Sequence, residues 1–228
     1  MTYKAYQWLT VVVIVVCLGC SNEKTGDNPA AQGDQPVASD AGGSQPSEAP
    51  ANPSNPAPAE EPVAPPVIPK VILSESLAAT CLVKVGDPMP QGQLLDLEGD
   101  GKPIQQFFGK KLTVVFFWNA QSMYAKSALE HLSKEVAGPF AQKGVQVVTV
   151  NEGDTPEAVL QMIEVLAPPL PSLLDPDGQY FAKVANDRPL RPYLLDSQGK
   201  ILWFDMEYSE STRRDLIQSI RVALGELK

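Results

Sequence analysis

The chain has 228 residues, a formal charge of −9 at neutral pH, and only three cysteines and one histidine. Its length suits one domain with appendages. The acidic balance, with no basic cluster in the part able to fold, argues against nucleic acid and against adsorption to anionic lipid.

In chain order, residues 1–19 combine Lys4 with an apolar run from Trp8 to Gly19. That run is too short to cross a bilayer as a helix, which takes about 20 apolar residues, so it reads as a signal peptide. Its end, Cys17-Leu18-Gly19-Cys20, resembles the lipobox of bacterial lipoproteins, although that family prefers leucine where Cys17 stands. The resemblance implies cleavage before Cys20 and lipidation of Cys20, hence a protein of the cell envelope held on a bacterial membrane by its lipid. An ordinary signal peptide or a short uncleaved anchor is the alternative.

From Cys20 to Pro69 the chain holds 11 of its 22 prolines and little that can form a core. This Pro/Ala/Ser-rich segment reads as a disordered linker. Flexible-coil scaling over about 49 residues gives roughly 40 Å of reach, which proline stiffening lengthens. A folded domain is expected over 70–228. After maturation only Cys81 remains as a thiol, so no intramolecular disulfide is possible, and any redox reading must pass through it.

Within the domain, Leu94–Leu97 reads as a short strand before the turn Glu98-Gly99-Asp100-Gly101. Thr113–Trp118, TVVFFW, is expected to be a strand covered on both faces at the centre of a sheet. Leu129, Leu132, Val136 and Phe140 then recur at helical spacing, with Lys126, Glu130 and Lys134 outward. Gly138-Pro139 should bend or end that helix. Val145–Val150 is a second buried strand, and Thr155-Pro156-Glu157 opens a helix reaching Leu166. Tyr193–Asp196 and Ile201–Asp205 pair as a hairpin, followed by a helix over about 211–224. The sum is an α/β fold with a mixed sheet flanked by helices.

The segment VGDPMPQGQLLDLEGDGKPIQQFFGKKLTVVFFW (85–118), followed by helix, strand, helix and RPYLLDSQGKIL (191–202), resembles the thioredoxin-like domains of membrane-tethered bacterial thiol-disulfide reductases and related redoxins. The resemblance covers about 85–225 and implies a thioredoxin-like fold. In that family a Cys-x-x-Cys opens the helix after the tryptophan-containing turn. Here those positions are Ser122 and Ala125, in Ser-Met-Tyr-Ala. The family's cis-proline falls on Pro192, after Arg191. A reductase needs a thiolate to attack a disulfide and a second thiol to resolve the product. Serine and alanine supply neither, so no catalytic residue is assigned at these positions, and no metal or cofactor is expected.

Ser122 is read as the cap of the following helix rather than as a nucleophile, since serine catalysis needs an activating base and His131 lies about 13 Å along the helix. Trp118, Met123, Tyr124, Arg191 and Pro192 are expected at one end of the sheet. They form either packed loops or a surface that binds an extended peptide or protein partner without covalent chemistry. Cys81 is either a small packing residue or a working thiol. A peroxiredoxin-type site would need its cysteine near Ser122, with an arginine and a threonine around it. Two functions follow: a noncovalent binding or scaffold module with a degenerate redox site, or a thiol-disulfide oxidoreductase or redoxin-type antioxidant that depends on Cys81 or on a partner's thiols.

Overall fold

In a computed structural model of the protein, residues 66–227 are described. The expected signal peptide (1–19), the lipidation site Cys20 and the linker as far as residue 65 lie outside the described residues. The packed chain begins slightly before Lys70. Ile68 and Val71 lie against the core, and Gln218 Nε2 donates to the Val67 carbonyl at 3.2 Å.

Strands β1 (Gln93–Leu95), β2 (Gly101–Pro103), β3 (Leu112–Trp118), β4 (Val145–Glu152), β5 (Ser172–Asp175), β6 (Arg191–Asp196) and β7 (Ile201–Phe204) form one mixed sheet in the order β2-β1-β5-β4-β3-β6-β7. β3, β4 and β5 run parallel and the other pairs are antiparallel. Every residue of β3 is buried, as its unbroken apolar run requires of an interior strand. The middle of the order is nevertheless β4, one place from where the expectation put it.

The alternation of side chains along β3 divides the core in two. Val114, Phe116 and Trp118 face one layer, which α2 (Ala125–His131), α4 (Pro156–Ile163) and α5 (Glu210–Ala223) cover through Leu129, Val159, Ile163, Leu216 and Ile220. Val115 and Phe117 face the other layer, beneath Val83, Met89, Ile104, Tyr180 and Phe181. That second layer is roofed mainly by irregular chain and short turns, with α1 (Glu75–Ala78) contributing Leu77.

Two local expectations are corrected. Gly138-Pro139 does not stop the helix after α2. The chain passes through a π-helical segment, Leu132–Ala137, into the short α3 (Gly138–Phe140). The Gly138 N–H bonds to the Ser133 carbonyl, five residues back, so the helix has already widened where Pro139, which lacks a donor and crowds the preceding turn, enters. Pro192 is likewise not cis. The one cis peptide among the described residues is Ala167–Pro168. Elsewhere the caps follow the sequence. Thr155 Oγ1 accepts from Ala158 N at 3.4 Å with Pro156 at the first turn of α4, and Ser209 Oγ accepts from Thr212 N at 3.3 Å at the start of α5.

Candidate functional site

β3 delivers the chain to the amino end of α2 through Asn119–Tyr124. This loop is pinned by a residue the sequence did not mark. Asp154 Oδ2 accepts from the Ala120 N–H at 2.6 Å and from Asn151 Nδ2 at 2.8 Å, tying the loop to the end of β4. Asn119 closes the turn, with its Oδ1 accepting from Ser122 N at 3.1 Å. A carboxylate three residues past an asparagine on a parallel strand was the available signal.

Ser122 and Ala125 sit in one turn, the Ala125 N–H donating to the Ser122 carbonyl at 3.0 Å. Ser122 is half-buried and Ala125 fully buried. The expected capping role of Ser122 does not hold. The cap position belongs to Tyr124, and no side chain caps the helix. The turn carries its backbone through main-chain and Asn119 contacts instead, which leaves the Ser122 hydroxyl without a structural task at the helix end.

The five residues expected to gather as a binding surface separate. Met123 and Tyr124 are exposed, at 83% and 58%, whereas Trp118 and Arg191 are completely buried. Pro192 is buried too. It pairs with Phe116 across β3 and β6, and its carbonyl accepts from Asp205 N at 3.1 Å. Its backbone is therefore engaged on both sides and has nothing to offer an incoming strand. Trp118 is a core residue, and its indole N–H has no partner.

What stands beside Tyr124 is a groove of about 260 Å³, lined by Tyr124, Leu190, Glu207, Tyr208 and Ser209. Tyr208 forms its floor against the core, edge-on to Phe116 with ring centroids 5.5 Å apart and stacked near His131 at 6.3 Å. Burial raises the Tyr208 phenol well above its ordinary value, with Glu135 adding to the shift and Arg213 opposing it. The phenol is a neutral hydrogen-bonding group at any physiological pH.

Arg191 points to the other side of the sheet, the side of Tyr193, because residues two apart on a strand share a face. Its Nη1 lies 3.2 Å from Cys81 Sγ and its Nη2 2.9 Å from Thr80 Oγ1. Its Nε donates to the carbonyls of Asp187 at 3.1 Å and Arg188 at 2.8 Å, and Nη2 to that of Asp187 at 2.6 Å. Arg188 adopts a left-handed conformation, φ 56°, to present its carbonyl. Arginine and threonine thus do surround a cysteine, but it is Cys81, and the face is opposite to α2. Nothing in the spacing hints at this, since Cys81 and Arg191 are 110 residues apart.

Among the described residues there is no cluster of three potential metal ligands, and no helix is long and apolar enough to cross a membrane.

Comparison with known proteins gives a consistent picture. The AhpC/TSA family matches residues 85–203, just over half of the chain. No curated protein matches. Among solved structures, a putative protein disulfide isomerase from Bacteroides thetaiotaomicron superimposes with a TM-score of 0.58 at 20% identity, covering 64% of this chain and 93% of its own. A putative thiol:disulfide interchange protein DsbE from Chlorobium tepidum gives 0.57 at 20% identity, covering 63% and 99%. The peroxidoxin BcpB from Mycobacterium tuberculosis gives 0.52 at 19% identity, covering 64% and 98%. These likenesses carry the fold, and the family match carries the kinship: the chain belongs to the AhpC/TSA redoxin family and has a thioredoxin-like fold.

Proposed function

We propose that this protein is an exported, lipid-tethered member of its family in which the amino end of α2 is a noncovalent binding site rather than a redox centre. The reading rests on one observation. Where the family's dithiol would stand, the chain has a half-buried Ser122 and a buried Ala125, while the adjacent Tyr124 is exposed beside an apolar groove. Neither residue can form a mixed disulfide, so attack and resolution at this end are chemically unavailable.

Backbone pairing is not open at the buried Pro192, so side-chain contact carries the binding. Tyr124, Leu190 and Tyr208 form a surface on which an apolar or aromatic residue of an extended peptide can rest, with Glu207 at the rim favouring a basic neighbour. The signal-like start, the lipobox resemblance and the proline-rich segment support a tethered domain in the cell envelope. The tether would let the domain sample partners within tens of ångströms of the membrane, on the order of its coil dimension.

The test pairs two assays on the full chain. Suppression of client aggregation should weaken in Tyr124→Ala and persist in Cys81→Ser. Insulin reduction with dithiothreitol should stay at background in both. Turnover of insulin that vanishes in Cys81→Ser would overturn the binding reading and favour the oxidoreductase.

A further inference from the structure

Arg191 is a fully buried cation, and none of its contacts is a carboxylate. The nearest candidate, Asp187, gives Arg191 only its carbonyl and turns its carboxylate to Arg188 at 3.6 Å. Backbone carbonyls and the Thr80 hydroxyl satisfy donors but supply no compensating charge, and a buried charge without one is costly. Two acidic groups face it. One is the Tyr193 phenol, and the other is the Cys81 thiol.

Tyr193 is completely buried, its hydroxyl has no hydrogen-bond partner, and it lies close enough to feel both Arg191 and Cys81. Burial pushes this phenol up to about 12, more than Arg191 pulls it down, so it is neutral at neutral pH. The sulfur is left as the acidic group in direct contact with the guanidinium. The contact geometry agrees. Arg191 donates to Cys81 Sγ at 3.2 Å, whereas the contacts in which the sulfur would be a donor, to the Leu77 carbonyl and Met206 Sδ, are long at 3.7 and 3.8 Å. Tyr193 keeps an unused O–H beside this pair.

Cys81 is only half-buried, and it is held in place by an isolated antiparallel bridge to Ala185. No second cysteine exists among the described residues to resolve a disulfide at this site. We propose that Cys81 is a monothiol modification site that takes up a low-molecular-weight thiol from its disulfide, with Arg191 as the counter-charge of the attacking sulfur.

The thiol proton leaves to solvent, and the Cys81 sulfur attacks one sulfur of R–S–S–R. That bond breaks, Cys81–S–S–R forms, and R–S⁻ departs. The Cys81 sulfur is oxidised to the disulfide level while the departing sulfur is reduced to thiolate. With no second cysteine among the described residues to resolve it, the adduct persists until another thiol removes it. The step is stoichiometric, one adduct per chain, and involves neither the face nor the residues of the binding groove.

Full chain is incubated with glutathione disulfide, and peptide mapping by mass spectrometry reads Cys81 separately from Cys17 and Cys20. In the native protein Cys81 should form the mixed disulfide about threefold faster than in the urea-unfolded chain, despite its partial burial. The adduct should survive removal of the reagent and disappear with dithiothreitol. Arg191→Met should abolish the native advantage, Arg191→Lys should retain part of it, and Tyr193→Phe, which leaves the charge and the fold in place, should lower it by a smaller factor. A native rate below that of the unfolded chain, or native rates unchanged in both Tyr193→Phe and Arg191→Lys, would overturn the proposal.

Discussion

The two faces of the sheet differ in what they have kept. On the α2 face the loop, turn and helix that would display a dithiol are all present, pinned by Asp154, yet the two positions hold Ser122 and Ala125. On the opposite face the thiol stands in a short bridge just after the single turn of α1, yet this cysteine lies against a buried guanidinium. On the readings proposed above, the scaffold has outlasted its chemistry on one face while a buried arginine attends a thiol on the other; fold alone would point to α2.

The contrast can be broken most forcefully at Arg191. Arg191→Met removes five hydrogen bonds at a fully buried position and takes their side-chain donor from the Asp187 and Arg188 carbonyls, so urea denaturation should show a loss of about 3–5 kcal/mol. Cys81→Ser should cost about 1 kcal/mol, because only a half-buried sulfur changes. Equal losses would mean that Arg191 serves the thiol alone rather than the whole loop.

On the α2 face Asp154→Ala should cost about 2 kcal/mol, from the loss of two charge-assisted bonds to Ala120 and Asn151, and should speed amide exchange across residues 119–124. Glu152, at the same end of β4, is a smaller perturbation. Burial raises its carboxyl pKa, and Asp175 and Asp154 raise it further. Its folded value lies above its unfolded one, so this group favours the folded state at low pH and weakens it as pH climbs from 4.5 through the raised value. Glu152→Gln should therefore raise the melting temperature at pH 7, and the gain should shrink towards nothing below pH 4.5. A gain independent of pH would assign the effect to packing.

The smallest effects belong to the residues at the opening of α2. Ser122→Ala should change stability by no more than about 0.5 kcal/mol, since the serine side chain caps nothing. A loss of about 1 kcal/mol would restore it as a cap. Tyr124→Ala should be equally neutral in thermal melts while weakening partner capture, which separates binding from folding.

Most of the sheet was readable in advance because β3 is an unbroken apolar and β-branched run, β4 is dominated by valine, and β6–β7 flank a turn of Asp196 and Gly199. β5 escaped notice. Its four residues, Ser172–Asp175, lie between Pro-rich chain and a turn, too short for any periodicity to register. The π-helical widening before Pro139 was equally hidden, since proline read alone says only that a helix should stop. The site was less legible than the fold. Pro192 stands in a segment that resembles the family's cis-proline region, but it is trans and buried, and its carbonyl is taken by Asp205 just past β7, which no local pattern reveals. Asp154 and Arg191 act through contacts with residues 34 and 110 positions away, beyond the reach of spacing.

The stitching of Thr80 and Cys81 also has a mechanical meaning. Leu82 N donates to Val184 O at 2.9 Å, Asn186 N to Thr80 O at 3.1 Å, and Arg191 grips both side chains from below. Tension arriving along the chain from its amino-terminal side, once past the contacts of Val67, Ile68 and Val71, meets these bonds before it reaches any strand of the main sheet. The bonds there lie across an antiparallel crossing rather than along a long shear interface, so they would yield one after another. The segment would act as a fuse that gives way first and spares the sheet, and the cost of its release would change with the state of one sulfur.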